Sequence, residues 1–201
     1  MAPETPSFSV IVPSVGRPSL AGTLRSIAAQ IRPGDEILVV CNDRKDLGTW
    51  ARNSAIERAR GTHLLFIDDD DEYVPGAFAA MRAFASQQPE RIGIFREELV
   101  DGSLFWREPV FREGNVGSVL FVVPNVAGRI GRWVGSEGND WRFIEQTAVL
   151  LGEPVFCDAV VARQRPNPTF SNSWNRLKFR LRLRTRLRRA GVTARWIDRS
   201  R

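Results

Sequence analysis

Short apolar runs alternate with stretches of helical spacing along the first half of the chain. Phe8–Pro13 (FSVIVP) is β-branched, closed by proline and followed by the polar loop Ser14–Pro18. Ser19 stands where a helix cap belongs, and Leu20, Leu24, Ile27, Ala28 and Ile31 then recur at helical spacing until Pro33-Gly34 stops them. A second apolar run, Glu36–Cys41, empties into Asn42-Asp43-Arg44. Gly48–Ile56 opens a helix expected to reach about Arg60, with Gly61 as its terminator. The third run, Leu64–Ile67, empties into four consecutive aspartates, Asp68 to Asp71, followed by Glu72. This β-α-β-α-β order predicts an α/β fold with a mostly parallel, doubly wound sheet. It also predicts that three polar loops meet at the carboxyl edge of that sheet, where open α/β folds bind ligands.

The second half reads less regularly. A helix is expected over about Pro75–Ser86, with the proline in its first turn. Ile92–Glu97 and Gly102–Trp106 read as a hairpin around Val100-Asp101-Gly102, and Val119–Val123 as a strand stopped by Pro124. The basic loop Gly128–Trp133 is either an ordinary turn or a cradle for anionic oxygens. Trp141–Leu151 is helical, and Glu153–Arg163 is a late strand. Asp140 is either the first-turn acid of its helix or a general base presented at the helix start.

Composition narrows the chemistry. The 201 residues are 43% hydrophobic and 26% charged, ordinary for a globular domain. No apolar run approaches the ~20 residues of a membrane helix, and MAPETPSFS shows no secretory leader. Cys41 and Cys157 read as small buried residues of a reducing compartment. His63 is the only histidine, which excludes a Cys/His metal centre and leaves one possible base for a Ser-His or Cys-His mechanism. It reads as a packing residue at a strand start.

The net charge of +6 is concentrated in one place. Eight basic residues and no acids lie between Arg176 and Arg189, and taking those eight from +6 leaves −2 for the rest. This tail alternates Arg and Leu, a strand-like pattern, yet its residue types favour a helix. It reads either as a surface for an anionic partner or as a helix packed on the body by its leucines.

Five successive acids repel one another unless a cation or hydrogen-bond donors neutralise them. A solvated loop is one reading of Asp68–Glu72. The buried strand delivering it favours the other: a hard divalent cation, Mn2+ or Mg2+, held by one or two carboxylates and substrate phosphates.

FSVIVPSVGR (Phe8–Arg17), ILVVCND (Ile37–Asp43), GTWARNSAI (Gly48–Ile56) and GTHLLFIDDDD (Gly61–Asp71) resemble, in order and spacing, the nucleotide-binding half of the family two glycosyltransferases with the GT-A fold. The resemblance implies one Rossmann-like GT-A domain over residues 1–170, with a nucleotide-binding half at 7–90, an acceptor half at 91–170 and a basic, helical tail at 171–201. It implies metal-dependent, inverting transfer of a sugar from a nucleotide-diphosphate donor to a hydroxyl. Pro13 and Arg17 would line the nucleotide pocket, Asp43 would contact the base, and Arg52 would approach ribose or phosphates. Asp68 and Asp70 are similar to the metal-binding D-x-D pair, with Asp68 near the ribose; Asp69 or Asp71 could share either role.

Gly138-Asn139-Asp140-Trp141 resembles the family's E-D-W segment, with Asn139 where Glu is usual. This implies Asp140 as the base on the acceptor hydroxyl. The acceptor is open among glycan, lipid-linked, protein and DNA hydroxyls, and the tail could reach an anionic surface through residues 176–189. A cytoplasmic protein, peripheral at a membrane, fits this reading. The rival readings are a non-catalytic nucleic-acid- or membrane-binding protein on a degenerate transferase scaffold, a nucleotidyltransferase, for which Ser14–Pro18 is a poor phosphate loop, and a glycoside hydrolase.

Overall fold

The computed structural model describes residues 5–41, 46–135, 139–165 and 194–197. The first three apolar runs are β1 (Phe8–Ser14), β2 (Glu36–Cys41) and β3 (His63–Phe66), joined by α1 (Leu20–Ala28) and α2 (Thr49–Ile56). Next come β4 (Asp71–Tyr73), α3 (Ala77–Gln87), β5 (Gly93–Glu98), β6 (Phe121–Pro124), α4 (Asn139–Leu151), β7 (Val155–Gln164) and β8 (Ala194–Ile197). One eight-stranded sheet runs β4-β7-β5-β6-β3-β1-β2-β8. β1 pairs in parallel with β2 on one side and β3 on the other, so the chain reverses its winding at β1. Every residue of β1 is buried, as a parallel strand covered on both faces requires. β5 pairs in parallel with β7, while β6 is antiparallel to β3 and β5, and β4 is antiparallel to β7.

The α/β fold with a mostly parallel sheet expected from the pattern is therefore present, with local differences. Ser19 precedes α1 but makes no side-chain cap; its carbonyl accepts Gly22 N at 2.8 Å instead. Pro75 lies outside α3, whose N-cap is Gly76 at φ 85°. Only one antiparallel bridge, Glu98 to Leu104, forms where a hairpin was expected, because the turn closes through Leu99 N to Ser103 O at 2.8 Å and then leaves the sheet. Val119–Val123 is split into a 3-10 turn (Ser118–Leu120) and β6. In the basic loop 128–133, the Arg129 guanidinium donates to Leu150 O at 2.8 and 3.1 Å, and Gly131 N donates to Thr147 Oγ1 at 3.0 Å. That loop packs as a turn. His63 is buried, and Pro89 O lies 3.1 Å from its Nε2; burial pushes its pKa down to about 4.

The helical reading of the tail, including 176–189, falls outside the described residues. Residues 194–197 form β8, parallel to β2, with Arg195 Nη1 3.0 Å from Glu36 Oε2. Among the described residues no helix is long and apolar enough to cross a membrane.

Gly61 does not terminate α2, which ends at Ile56. Its role is close approach: a Cβ there would lie 2.5 Å from Ser9 N and 2.6 Å from Phe8 C. Both are backbone atoms of the central strand, so neither can yield. Gly61→Ala should destabilise the fold by about 2 kcal/mol or more, read as a lowered urea midpoint at unchanged slope.

Candidate functional site

The parallel order of β1, β2 and β3 brings their carboxyl ends to one edge. There the acidic run turns: Asp71 N donates to Asp68 O at 3.3 Å, and the chain re-enters the sheet as β4. Consecutive aspartates consequently meet different partners. Asp69 is sealed inside, its side chain 3% exposed. Ser14 Oγ donates to Asp69 Oδ2 at 2.6 Å, and Arg17 Nη1 lies 2.8 Å from its Oδ1. The same Arg17 nitrogen reaches Asp70 Oδ2 at 2.9 Å. Gly16, at φ 85°, donates its N–H to Ser14 Oγ at 2.9 Å and turns the loop so that Arg17 points inward.

Asp68 is held from α2, where Arg52 Nη2 lies 2.5 Å from its Oδ1. Arg52 itself is buried; its Nη1 donates to Leu47 O at 2.7 Å, and its guanidinium lies 4.5 Å over the Trp133 ring. Gly48, the N-cap of α2, adopts φ 78°. A Cβ there would come within 2.8 Å of Arg52 Nη1 and 3.0 Å of Pro13 Cβ. Pro13 is buried in β1 opposite Val40 and packs against this turn. Asp43 lies outside the described residues.

Asp140 opens α4, close enough to Arg52 and Asp68 to feel both charges. Burial, with Asp68 adding, pushes it up to about 6 against the pull of Arg52 and a backbone hydrogen bond at Ser118. Burial likewise raises Asp69 and Asp70, outweighing Arg17. Burial pushes Asp71 up to about 8, helped by Glu97, Asp68 and Asp70. Glu97 on β5 is pushed up to about 7, again first by burial and then by Asp68 and Asp140.

The structure therefore brings Arg17, Arg52, Asp68, Asp69, Asp70 and Asp140 to one edge. Sequence reading missed Glu97, because Arg96-Glu97-Glu98 looks like a polar strand end. It missed Arg165, whose Nη1 lies 2.8 Å from Glu72 Oε1 and whose Nε donates to Asp70 O at 3.1 Å. Asn53 clamps the loop before α4, donating to Trp133 O at 2.9 Å and accepting Trp133 N at 3.0 Å. Its adjacency to Arg52 was the signal for that clamp.

The donor set suits a hard cation, being all carboxylate, and Asp70 keeps some exposure at the edge. Among the described residues no group of three or more His, Cys, Asp or Glu side chains gathers to hold a metal. The fit is to an ion held by one or two carboxylates and completed by ligand oxygens.

The fold is that of a GT-A, Rossmann-like domain. Residues 42–128 match the model of Glycosyl transferase family 2, in agreement with the resemblance of the motifs. The fold is also that of S. aureus TarS, with TM-score 0.65 and 17% identity over 81% of this chain and 37% of that one. TarS 1–349 in complex with UDP gives 0.63 and 17%, over 81% of this chain and 61% of that one. TarS 1–349 in complex with UDP-GlcNAc gives 0.64 and 15%, over 93% and 68%. The chain thus spans just over a third of the longer TarS chain and about three fifths of the UDP-bound one. No curated protein matches it in sequence.

Asp71 and Glu97 have folded pKa values above the ordinary carboxylate range, so the folded state binds more protons than the unfolded chain. Stability must then fall as pH rises towards those values. His63, shifted down to about 4, acts in the opposite sense only below about 6.5. Between about pH 6.5 and 8.5 the melting temperature of the ligand-free protein should drop by a few degrees, and Asp71→Asn should flatten the decline. Thermal melts across that range check this.

Proposed function

We propose that this domain is an inverting glycosyltransferase using a nucleotide-diphosphate sugar. The observation that carries the reading is the joining of the ends of β1 and β3 and of helix α2 through Arg17 and Arg52 to Asp68, Asp69 and Asp70, with Asp140 in electrostatic reach of Asp68 and Arg52. The family match over the acidic run supports it, and the UDP and UDP-GlcNAc complexes of a protein of the same fold suggest the donor class.

Arg17 and Arg52 place two fixed guanidinium groups where a diphosphate would sit, and arginine suits phosphate oxygens. Asp70, with Asp68, would hold a divalent cation, which when bound supplies Lewis-acid neutralisation of the leaving diphosphate. Asp140 takes the proton from the acceptor hydroxyl. As that oxygen bonds to the anomeric carbon, the bond from that carbon to the diphosphate oxygen breaks, and the diphosphate departs with the electron pair. At neutral pH an acid shifted only to about 6 is mostly ionised, as a base must be. The acceptor is a hydroxyl compound, and the region between β5 and α4 is where it would approach.

Calorimetric titration with UDP-, GDP-, dTDP- and CDP-linked sugars, with and without manganese, tests the reading. Metal-dependent binding of one nucleotide class is expected; binding of none by a folded sample overturns it in favour of a non-catalytic scaffold. Asp70→Asn should abolish the manganese-dependent part of that binding. Asp140→Asn should keep donor affinity and lower turnover by about a hundredfold or more. Near-normal turnover would remove Asp140 as the base.

A further inference from the structure

The acids around the site fall into two sets. Glu72 pairs with Arg165, Glu98 with Arg163, Asp158 with Arg96, Asp68 with Arg52, and Asp69 and Asp70 with Arg17. Glu97 stands among these residues and has no hydrogen-bond or ion-pair partner for its carboxylate among the described residues. It is nevertheless buried, at 8% exposure. Its carboxylate oxygens are not among the buried polar atoms left without a partner, so they keep contact with solvent and stand open to a ligand.

Its placement is specific. The β5–β7 register shifts on either side of Arg96, and such irregularities re-aim side chains beside functional sites. Arg96 swings away, 4.2 Å over the Trp106 ring and 2.7 Å from Asp158. Glu97 then aligns with Ala162 of β7, which aligns with Tyr73 of β4. Strand alternation puts Asp71, two residues before Tyr73, on the same face as Glu97. Glu97 is the strongest charged neighbour of Asp71, and its own charged neighbours are Asp68 and Asp140. It is in electrostatic reach of both ends of the interval from the acidic run to the candidate base.

In an inverting transfer the donor sugar occupies that interval, with its leaving diphosphate towards Asp68 and Asp70 and its open face towards Asp140. We infer that the Glu97 carboxyl hydrogen-bonds a hydroxyl of the donor sugar and so selects the sugar rather than the nucleotide. A hydroxyl both donates and accepts, so it satisfies a carboxylate or a carboxylic acid. A site built to bond a hydroxyl discriminates against ligands that lack it, since its own buried group is then left unpaired. This assignment rests on the transferase reading above.

The test is equilibrium binding of UDP-GlcNAc, with UDP as the sugar-free reference, to the wild type, Glu97→Gln and Glu97→Ala in the presence of manganese. Glu97→Ala should bind UDP within about twofold of wild type and UDP-GlcNAc about tenfold more weakly, the weight of one hydrogen bond. Glu97→Gln, which keeps a donor and an acceptor in the same volume, should stay near wild type. Glu97→Ala should also melt no lower than wild type, because a residue held for function is removed without loss to the fold. If it fails to fold, Glu97→Gln remains folded and Glu97→Leu takes the place of the alanine variant. An unchanged ratio of the two affinities across the variants overturns the assignment, as does an equal loss of both ligands. Failure of the wild type to bind either ligand overturns the transferase reading itself, and the assignment with it.

Discussion

The site depends on keeping several carboxylates close together and away from water. Repulsion and desolvation both oppose this. The chain answers by bending between Asp68 and Asp71, so that Asp68 faces Arg52 while Asp69 and Asp70 share Arg17. Arg52 comes from α2, Arg17 and Ser14 from the end of β1, and Arg165 from the end of β7. Each contact is therefore also a tertiary link, tying α2 and the ends of β1 and β7 to the acidic turn. Gly22 on α1 has no side chain, which leaves room for the Arg165–Glu72 pair against that helix.

A second buried ion pair shows what a purely structural solution looks like. Asp35 and Arg82 lie 2.7 Å apart, at the end of the sheet where β1 begins. Asp35 also accepts Phe8 N at 2.8 Å and Arg32 N at 2.7 Å, while Arg82 bonds Pro6 O and lies 4.3 Å over the Phe8 ring. Its carboxylate oxygens are all engaged, and the pair fastens the start of the central strand. At the opposite edge the carboxylates outnumber their cations. Asp71, Glu97 and Asp140 are left raised by burial and by neighbouring carboxylates, Asp68 among them in each case. Charges in this state add little or nothing to stability. Their presence at the carboxyl edge, and not at the other, follows the position of ligand sites in open sheets.

How much of this could be read from the sequence follows from the range of each interaction. β1, β2, β3 and the helices between them are fixed by local apolar periodicity, and the pattern placed them to within a few residues. The acidic run and Arg52-Asn53 were visible because their chemistry is contiguous. Glu97 was not, because its significance comes from a register shift at Arg96 and from alignment with Tyr73 across β7. Arg165 sits 95 residues from the Asp70 carbonyl it holds. Pro13 and Gly61 carry motif signatures, and both also pack closely: Pro13 lies against Gly48, and Gly61 lets β1 pass. Spacing reveals that a glycine is present, not which backbone approaches it.

The two halves of the sheet differ in how tightly the chain determines them. Around β1 the pairing is regular and parallel, and most of its paired neighbours are buried apolar residues. A diphosphate binding there would meet groups that cannot move, since Arg17 and Arg52 are held by acids and by the Leu47 carbonyl. Around β5 the register shifts, the following segment makes a single bridge, and Val100 and Val110 stand exposed. Loops on a rigid scaffold can vary without disturbing it. A transferase needs constancy where the nucleotide binds and latitude where sugar and acceptor differ. Glu97 stands just past the register shift at Arg96, paired with Ala162 of β7.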